Sequence, residues 1–179
     1  MEEKHTIAPV LIEIRPSKML PGEIGLFAAQ DLKKDTIIAK TKDFVEIFHP
    51  WEDFEKLDKH TQRKIEQYCI QTKEGFYTPE DFNWLPVPWN MNHCCNYNVG
   101  FDEEDNFVTS RDVERGEELC WDYGMGISDD SFRLECKCGS ENCRKIITGN
   151  DWKDEEYRKK NAKYFSRRLL AAVKLNANE

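Results

Sequence analysis

Three cysteines fall within eight residues, Cys136-Lys-Cys138-Gly-Ser-Glu-Asn-Cys143, and no other feature of the chain restricts its fold so sharply. Thiols this close on a loop are liable to oxidise unless they serve as ligands, and a closed tetrahedral zinc site needs only one donor more. Gly139 supplies the tight turn between them. Of the other cysteines, Cys69 and Cys120 stand alone and Cys94 and Cys95 are adjacent. That pair is the expected source of the missing ligand, because a shell of four thiolates suits a structural zinc and the histidines are scattered. A bridge of this kind ties the C-terminal loop to the middle of the chain.

Seven cysteines are an odd number, and the start, Met1-Glu-Glu-Lys-His, lacks the basic-then-apolar order of a secretory signal. Both argue for metal ligation and buried thiols over a disulfide framework. No stretch approaches the roughly 18 apolar residues that a membrane span needs. The expected protein is intracellular, nuclear or cytoplasmic, with no membrane partner. With 179 residues, 39% hydrophobic and 34% charged, it can bury one core and holds at most a terminal appendage beside it.

The net charge of −8 is unevenly spread: residues 1–150 carry 18 Lys/Arg against 29 Asp/Glu, and residues 151–179 carry 8 against 5. An acidic body favours basic peptides over a phosphate backbone, although excess acid also serves solubility. Direct nucleic-acid binding is therefore disfavoured. The one segment that raises it is the C-terminal run with Arg158, Lys159, Lys160, Lys163, Arg167 and Arg168, which reads more readily as a helix whose apolar face docks on the domain while its charges face water.

Apolar β-branched runs predict strands at Val10–Ile14, at Leu26-Phe-Ala-Ala, at Thr36–Lys40 and at Phe44–Phe48. From Trp51 to Ile70 the apolar residues Trp51, Phe54, Leu57, Ile65, Tyr68 and Cys69 are spaced as in one or two amphipathic helices. Lys73–Trp89, with three prolines, reads as an irregular but packed segment. Val99-Gly-Phe and Phe107–Ser110 flank an acidic turn as a hairpin, and a further strand covers Glu118–Asp122. Asp151 is the expected N-cap of one basic terminal helix carrying Trp152, Tyr157, Tyr164, Phe165, Leu169 and Val173.

Two further segments concentrate polar chemistry. Met91-Asn92-His93-Cys94-Cys95-Asn96-Tyr97-Asn98 is costly to bury unless each group finds a partner. In Glu117-Glu-Leu-Cys-Trp121-Asp-Tyr123-Gly, two aromatics two positions apart share one side of a strand, where they line either a core or a channel.

In this order the segments resemble the SET domain, the fold of many protein-lysine methyltransferases, over Leu11 to about Ile147. Gly22-Glu-Ile-Gly25-Leu-Phe-Ala resembles the family's opening glycine motif, and Asn92-His93-Cys94-Cys95-Asn96-Tyr97-Asn98 its Asn-His-Ser-Cys-x-Pro-Asn motif. Glu118-Leu-Cys-Trp-Asp-Tyr-Gly resembles Glu-Leu-Thr-x-Asp-Tyr-Gly, and Cys136-Lys-Cys-Gly-Ser-Glu-Asn-Cys143-Arg the post-SET zinc loop. The resemblance implies a mostly β fold (β-clip/SET) with a knot-like core: a SET domain over 8–126 with a helical insert at about 50–89, a post-SET zinc loop over 132–148 and a C-terminal helix over 151–175.

The implied activity is S-adenosylmethionine-dependent transfer of methyl groups to a lysine in a protein or peptide such as a histone tail. The alternative is a SET-fold module that binds a peptide or partner without catalysis. By resemblance Tyr123 is catalytic, and Ile24, Gly25, Leu26, Asn92 and His93 hold the cofactor. Trp121 and Tyr77 face the substrate channel, Phe132 and Leu134 supply apolar wall, and Cys95, Cys136, Cys138 and Cys143 bind one structural zinc, with Cys94 in the serine position. Departures from the family pattern are Glu23 where it has the first of two glycines, Tyr97 for proline, and Trp121 for Phe or Tyr. The bulky indole is expected to restrict how many methyl groups are added.

Overall fold

The computed structural model describes residues 8–176; the N-terminal start considered above lies outside them. In chain order the elements are β1 (Ile12–Pro16), β2 (Ile24–Ala28), β3 (Ile37–Ala39), β4 (Glu46–Pro50), α1 (Trp51–Phe54), α2 (Lys59–Tyr68), β5 (Ile70–Gln71) and β6 (Gly75–Pro79). There follow β7 (Asn92–His93), β8 (Val99–Phe101), β9 (Phe107–Thr109), β10 (Glu118–Trp121), β11 (Arg133–Glu135), β12 (Ile146–Thr148), α3 (Glu155–Asn161) and α4 (Arg167–Asn176).

The main sheet runs β1-β2-β10-β8-β9-β3, with β7 also on β10. Its central strand β10 is buried at every position, as its Leu-Cys-Trp run requires. Two pairings of β10 are parallel, Cys120 and Trp121 against Asn92 and His93, and Trp121 against Val99. The chain between β7 and β8 therefore loops around the end of β10, which is the crossing expected of the knot-like core. Asn98 holds the crossing: it is 1% exposed, its carbonyl accepts from Cys120 N at 2.9 Å and its amide donates to Glu118 O at 2.9 Å. The demand that this polar segment be satisfied is met.

Leu26, Ala28, Val99 and Leu119 are fully buried in the main core, together with Trp152, Phe165 and Leu169 from the C-terminal segment. Each large apolar side chain so placed contributes about 1.5–3 kcal/mol. The C-terminal segment is thus part of the core. It forms two helices where one was expected. Phe165 turns extended to enter the core, Ser166 N donates to Met125 O at 2.9 Å, and Ser166 Oγ then caps α4 by accepting from Leu169 N at 3.2 Å. The expected cap Asp151 is engaged elsewhere, and Asp154 caps α3 by accepting from Tyr157 N at 2.7 Å. Tyr97 secures α3, donating to Asn161 Oδ1 at 2.8 Å.

The insert has a small core of its own, Ile65, Cys69 and Phe76. Asp58 starts α2 by accepting from His60 N and Thr61 N. The segment expected to be irregular contains β6, which pairs with both β4 and β5 in a small sheet beside the helices. Its proline content hid a strand because only Pro79 lies inside it, at the last position. A Cβ at Gly75 would sit 2.1 Å from His49 O, a backbone atom that cannot move aside. Gly75→Ala is expected to cost about 1–3 kcal/mol of stability, read as a lower urea midpoint; an unchanged midpoint would show that this pairing yields.

The basic terminal side chains are largely engaged. Arg168 pairs with Glu46 and lies over the Tyr77 ring at 3.8 Å. Lys159 meets Glu155 and Glu156, Lys163 meets Asp35, and Arg158 donates to the carbonyls of Trp152 and Lys153. No helix among the described residues is long and apolar enough to cross a membrane.

Candidate active site and metal centre

Where β10 ends, Asp122 caps a short turn by accepting from Gly124 N at 3.0 Å. Tyr123, the next residue, is half-buried; its hydroxyl donates to Met91 O at 3.1 Å and its backbone N donates to His93 Nδ1 at 3.1 Å. Burial raises the pKa of the Tyr123 phenol above the ordinary tyrosine value, so it is protonated near neutrality. Burial likewise pushes His93 down to about 4, against the pull of Asp122. A neutral ring accepting at Nδ1 carries its proton on Nε2.

Two cavities meet at this turn. One, about 270 Å³, is bounded by Leu20, Glu23, Asn92, His93 and the strap from Phe132 to Cys138, with Glu66, Gln67 and Tyr123. The other is narrow, about 40 Å³, and is walled by Tyr68, Trp89, Met91, Phe107, Trp121, Tyr123 and Ile127, among others. Glu66, Gln67, Tyr123 and Phe132 belong to both. The larger approaches the size of a small-molecule pocket, roughly 300–1,000 Å³, whereas the smaller has room only for something thin.

Among the residues expected to hold a cofactor, Asn92 and His93 line the larger cavity and Ile24, Gly25 and Leu26 do not. Gly25 and Leu26 are buried in β2, and a Cβ on Gly25 would meet Glu118 Oε1 at 2.4 Å. Ile24 contributes through its carbonyl, which accepts from Asn92 Nδ2 at 2.8 Å. Glu23 lines the cavity even though it replaces a glycine. Glu118 is a residue to which the sequence alone assigned no role: it accepts from Ser17 Oγ at 2.7 Å, Lys18 N at 2.8 Å and Asn92 Nδ2 at 3.2 Å, fixing the loop that carries Leu20.

Trp121 lines the narrow cavity, 7% exposed, its ring 4.8 Å from that of Tyr123 and edge-on to Phe101. Tyr77 does not. It lies on a separate groove with Phe48, Thr72 and Arg168, since β6 turns that side chain towards α4. The insert instead sends Tyr68, from the last turn of α2, into the narrow cavity. Its place in the amphipathic series with Ile65 was visible in sequence; its facing Tyr123 was not.

Cys95, Cys136, Cys138 and Cys143 come together with all four sulfurs within 4.8 Å of one another. Cys95 and Cys136 Sγ are 3.8 Å apart. A tetrahedral thiolate shell with bonds of about 2.3 Å has sulfur–sulfur edges of about 3.8 Å, so the donor set fits a metal ion. Gly139 takes φ +72° in the intervening turn, and Arg144 N donates to Cys95 Sγ at 3.4 Å. Cys94 is buried outside the cluster. Phe132 and Leu134 pack against the cluster and also face the larger cavity, so metal loop and cavity wall are one structure.

A sheet crossed by its own loop, two joined cavities and a four-thiol strap are the features that define this domain. The chain belongs to the SET domain family, which matches residues 23–124. It is similar to Histone-lysine N-methyltransferase 2D of Homo sapiens, 31% identical over 129 residues that cover 68% of this chain and 2% of the relative. Histone-lysine N-methyltransferase trr of Drosophila melanogaster is 32% identical over 129 residues, 68% of this chain and 5% of that protein. Histone-lysine N-methyltransferase Su(var)3-9 of the same organism is 31% identical over 94 residues, 42% of this chain and 15% of the relative. The matched stretch is thus a small part of each.

Proposed function

We propose that the chain is a protein-lysine N-methyltransferase that uses S-adenosylmethionine, acts on a basic protein segment such as a histone tail, and carries one structural zinc on Cys95, Cys136, Cys138 and Cys143. The observation that carries the reading is the pair of cavities sharing Tyr123 and Phe132. An aromatic passage of about 40 Å³ admits an unbranched aliphatic chain more readily than a planar guanidinium, which selects lysine over arginine. The wider cavity, about 270 Å³ with Asn92, His93 and the strap on its walls, supports placing the cofactor there.

Bound S-adenosylmethionine supplies an electrophilic methyl group on its sulfonium. The attacking amine has to be neutral, and a free lysine has a pKa of about 10.4. The apolar passage disfavours the ammonium by stripping its water. The Tyr123 hydroxyl spends its proton on Met91 O, which leaves lone pairs on its oxygen to accept an N–H from the amine. That orientation leaves the nitrogen lone pair to point along the passage into the larger cavity, and displacement in line gains chiefly from such alignment. The acidic body suits a basic segment.

The test is transfer of labelled methyl from S-adenosylmethionine to core histones, histone-tail peptides and a lysate, with the modified residue identified by mass spectrometry. Label on lysine supports the reading; label on arginine alone, or cofactor bound with no transfer to any protein, sinks it. Trp121 gives a further prediction. A Cβ on Gly126 would stand 3.0 Å from the indole, so the ring is confined from behind. Shortening it to phenyl removes part of the wall of the passage. Trp121→Phe is expected to move products from mono- towards di- and trimethyl-lysine; an unchanged product distribution would refute the crowding argument.

A further inference from the structure

We propose that Arg144 is a positioning residue that makes closure of the cysteine loop a condition for a correctly held Tyr123; this rests on the methyl-transfer reading above. Arg144 directly follows the ligand Cys143, and its backbone N donates to Cys95 Sγ at 3.4 Å. Its guanidinium leaves the cluster and forks onto Asp122, Nη1 to Oδ2 at 2.6 Å and Nη2 to Oδ1 at 2.7 Å. Nε donates to Asp151 Oδ2 at 3.1 Å, and the guanidinium lies 4.9 Å over the Tyr157 ring. One residue therefore joins the thiol cluster, through its backbone, to the Tyr123 turn and the start of the C-terminal segment, through its side chain.

Asp122 is the receiving end. Its side chain is 1% exposed, and besides Arg144 it accepts from Gly124 N at 3.0 Å and stands 3.7 Å from His93 Nδ1. His93 Nδ1 in turn accepts from Tyr123 N, and Met125 N closes the turn on Asp122 O at 2.8 Å. The Asp122 carboxylate thus fixes the turn just beyond Tyr123 through Gly124 N, its backbone O fixes Met125, and His93 Nδ1 holds the Tyr123 backbone from the other side. A carboxylate so buried needs a compensating cation. Arg144 supplies the charge in the bidentate geometry that a lysine cannot reproduce. Asp151 orients the cation from behind while itself accepting from Thr148 N at 3.1 Å and Thr148 Oγ1 at 2.6 Å. When the loop opens, Arg144 departs with it and the turn loses its counter-charge.

The test compares the parent, Arg144→Gln, Arg144→Lys, Asp122→Asn and the double variant Asp122→Asn/Arg144→Gln. Metal per chain, cofactor affinity by calorimetry, kcat and KM, and amide hydrogen exchange over 122–126 are measured for each. Arg144→Gln is expected to keep its metal and to bind cofactor within about tenfold of the parent while kcat falls about 100-fold, the scale of a misplaced reacting group. Exchange over 122–126 should accelerate by about tenfold. Arg144→Lys should recover part of kcat, and the double variant should be no worse than Arg144→Gln, because both changes break one link.

Unchanged kcat and exchange in Arg144→Gln would overturn the proposal. So would loss of metal and cofactor binding in step with kcat, which is what a purely structural role predicts. If Arg144→Gln does not fold, Arg144→Lys carries the same comparison, since it keeps the charge and loses the fork. A parent that transfers no methyl groups would sink the methyl-transfer reading, whereas the exchange data and the coupling between positions 122 and 144 would still decide whether Arg144 holds the turn.

Discussion

Cys136→Ser, or removal of the metal by a chelator, is expected to abolish methyl transfer while most of the fold survives. Structural zinc sites of this type contribute apparent binding energies of about 10–16 kcal/mol, as large as the stability of a whole domain, about 5–15 kcal/mol. What that energy holds together here is local. Cys95, Cys136 and Ile147 form a cluster separate from the main core, with Phe132 and Leu134 packed on it. The only regular pairing in the loop is between β11 and β12, three residues on each side, too little to persist alone in water. Phe132, Leu134, Glu135 and Lys137, with Cys136 and Cys138, wall the larger cavity, so on the proposed reading a cofactor in that cavity would lose one side of its site once the thiol cluster is disrupted. Trp152, Phe165 and Leu169 are buried in the main core and should keep the terminal helices docked. The expected result is near-parental circular dichroism, new proteolytic cleavage at Arg133, Lys137 or Lys145, and activity at background. A variant that retains one metal per chain and full transfer would refute the zinc assignment.

How far the sequence disclosed this site depended on how local each contact was. That Cys95, Cys136, Cys138 and Cys143 converge was legible because three lie within eight residues and the fourth belongs to a recognisable polar segment. That Trp121, Tyr123, Asn92 and His93 come to line the cavities was legible from the same polar and aromatic segments. Which residues of Glu23 to Leu26 face the larger cavity was not legible, because a motif does not say which of its residues turn inward; Gly25 is pressed against Glu118, and Glu23 lines the cavity. The direction of Tyr77 was not legible because it depends on the pleat of β6, a strand hidden among prolines. The single terminal helix failed for a different reason: helical spacing continues through Phe165, but burying that ring in the main core outweighs the few hydrogen bonds that an unbroken helix would add. Arg144 and Asp122 meet across 22 residues of sequence, and nothing in either segment alone marks them as partners.

Tyr123→Phe is expected to leave the fold, the metal and cofactor affinity nearly unchanged and to lower kcat by about 100-fold or more, the usual scale for removing one preorganised hydrogen-bonding group from a reacting centre. The substitution takes away one oxygen and keeps the ring, so packing against Trp121 and His93, at centroid distances of 4.8 Å and 5.3 Å, persists. Met91 O loses its donor, a modest structural cost beside a catalytic one, because the lysine nitrogen is left free to rotate. The direction of the Tyr123 pKa shift adds a second test. Burial holds the phenol above its ordinary pKa, so it remains a neutral donor through the working range and is not itself the base. The parent's kcat/KM should therefore rise with pH as the substrate amine, with its pKa of about 10.4, loses its proton. No descending limb from Tyr123 ionisation should appear below the ordinary tyrosine pKa of about 10. A descending limb between about pH 7 and 9 that vanished in Tyr123→Phe would mean that the hydroxyl titrates during turnover, and the orienting role would have to give way to proton transfer.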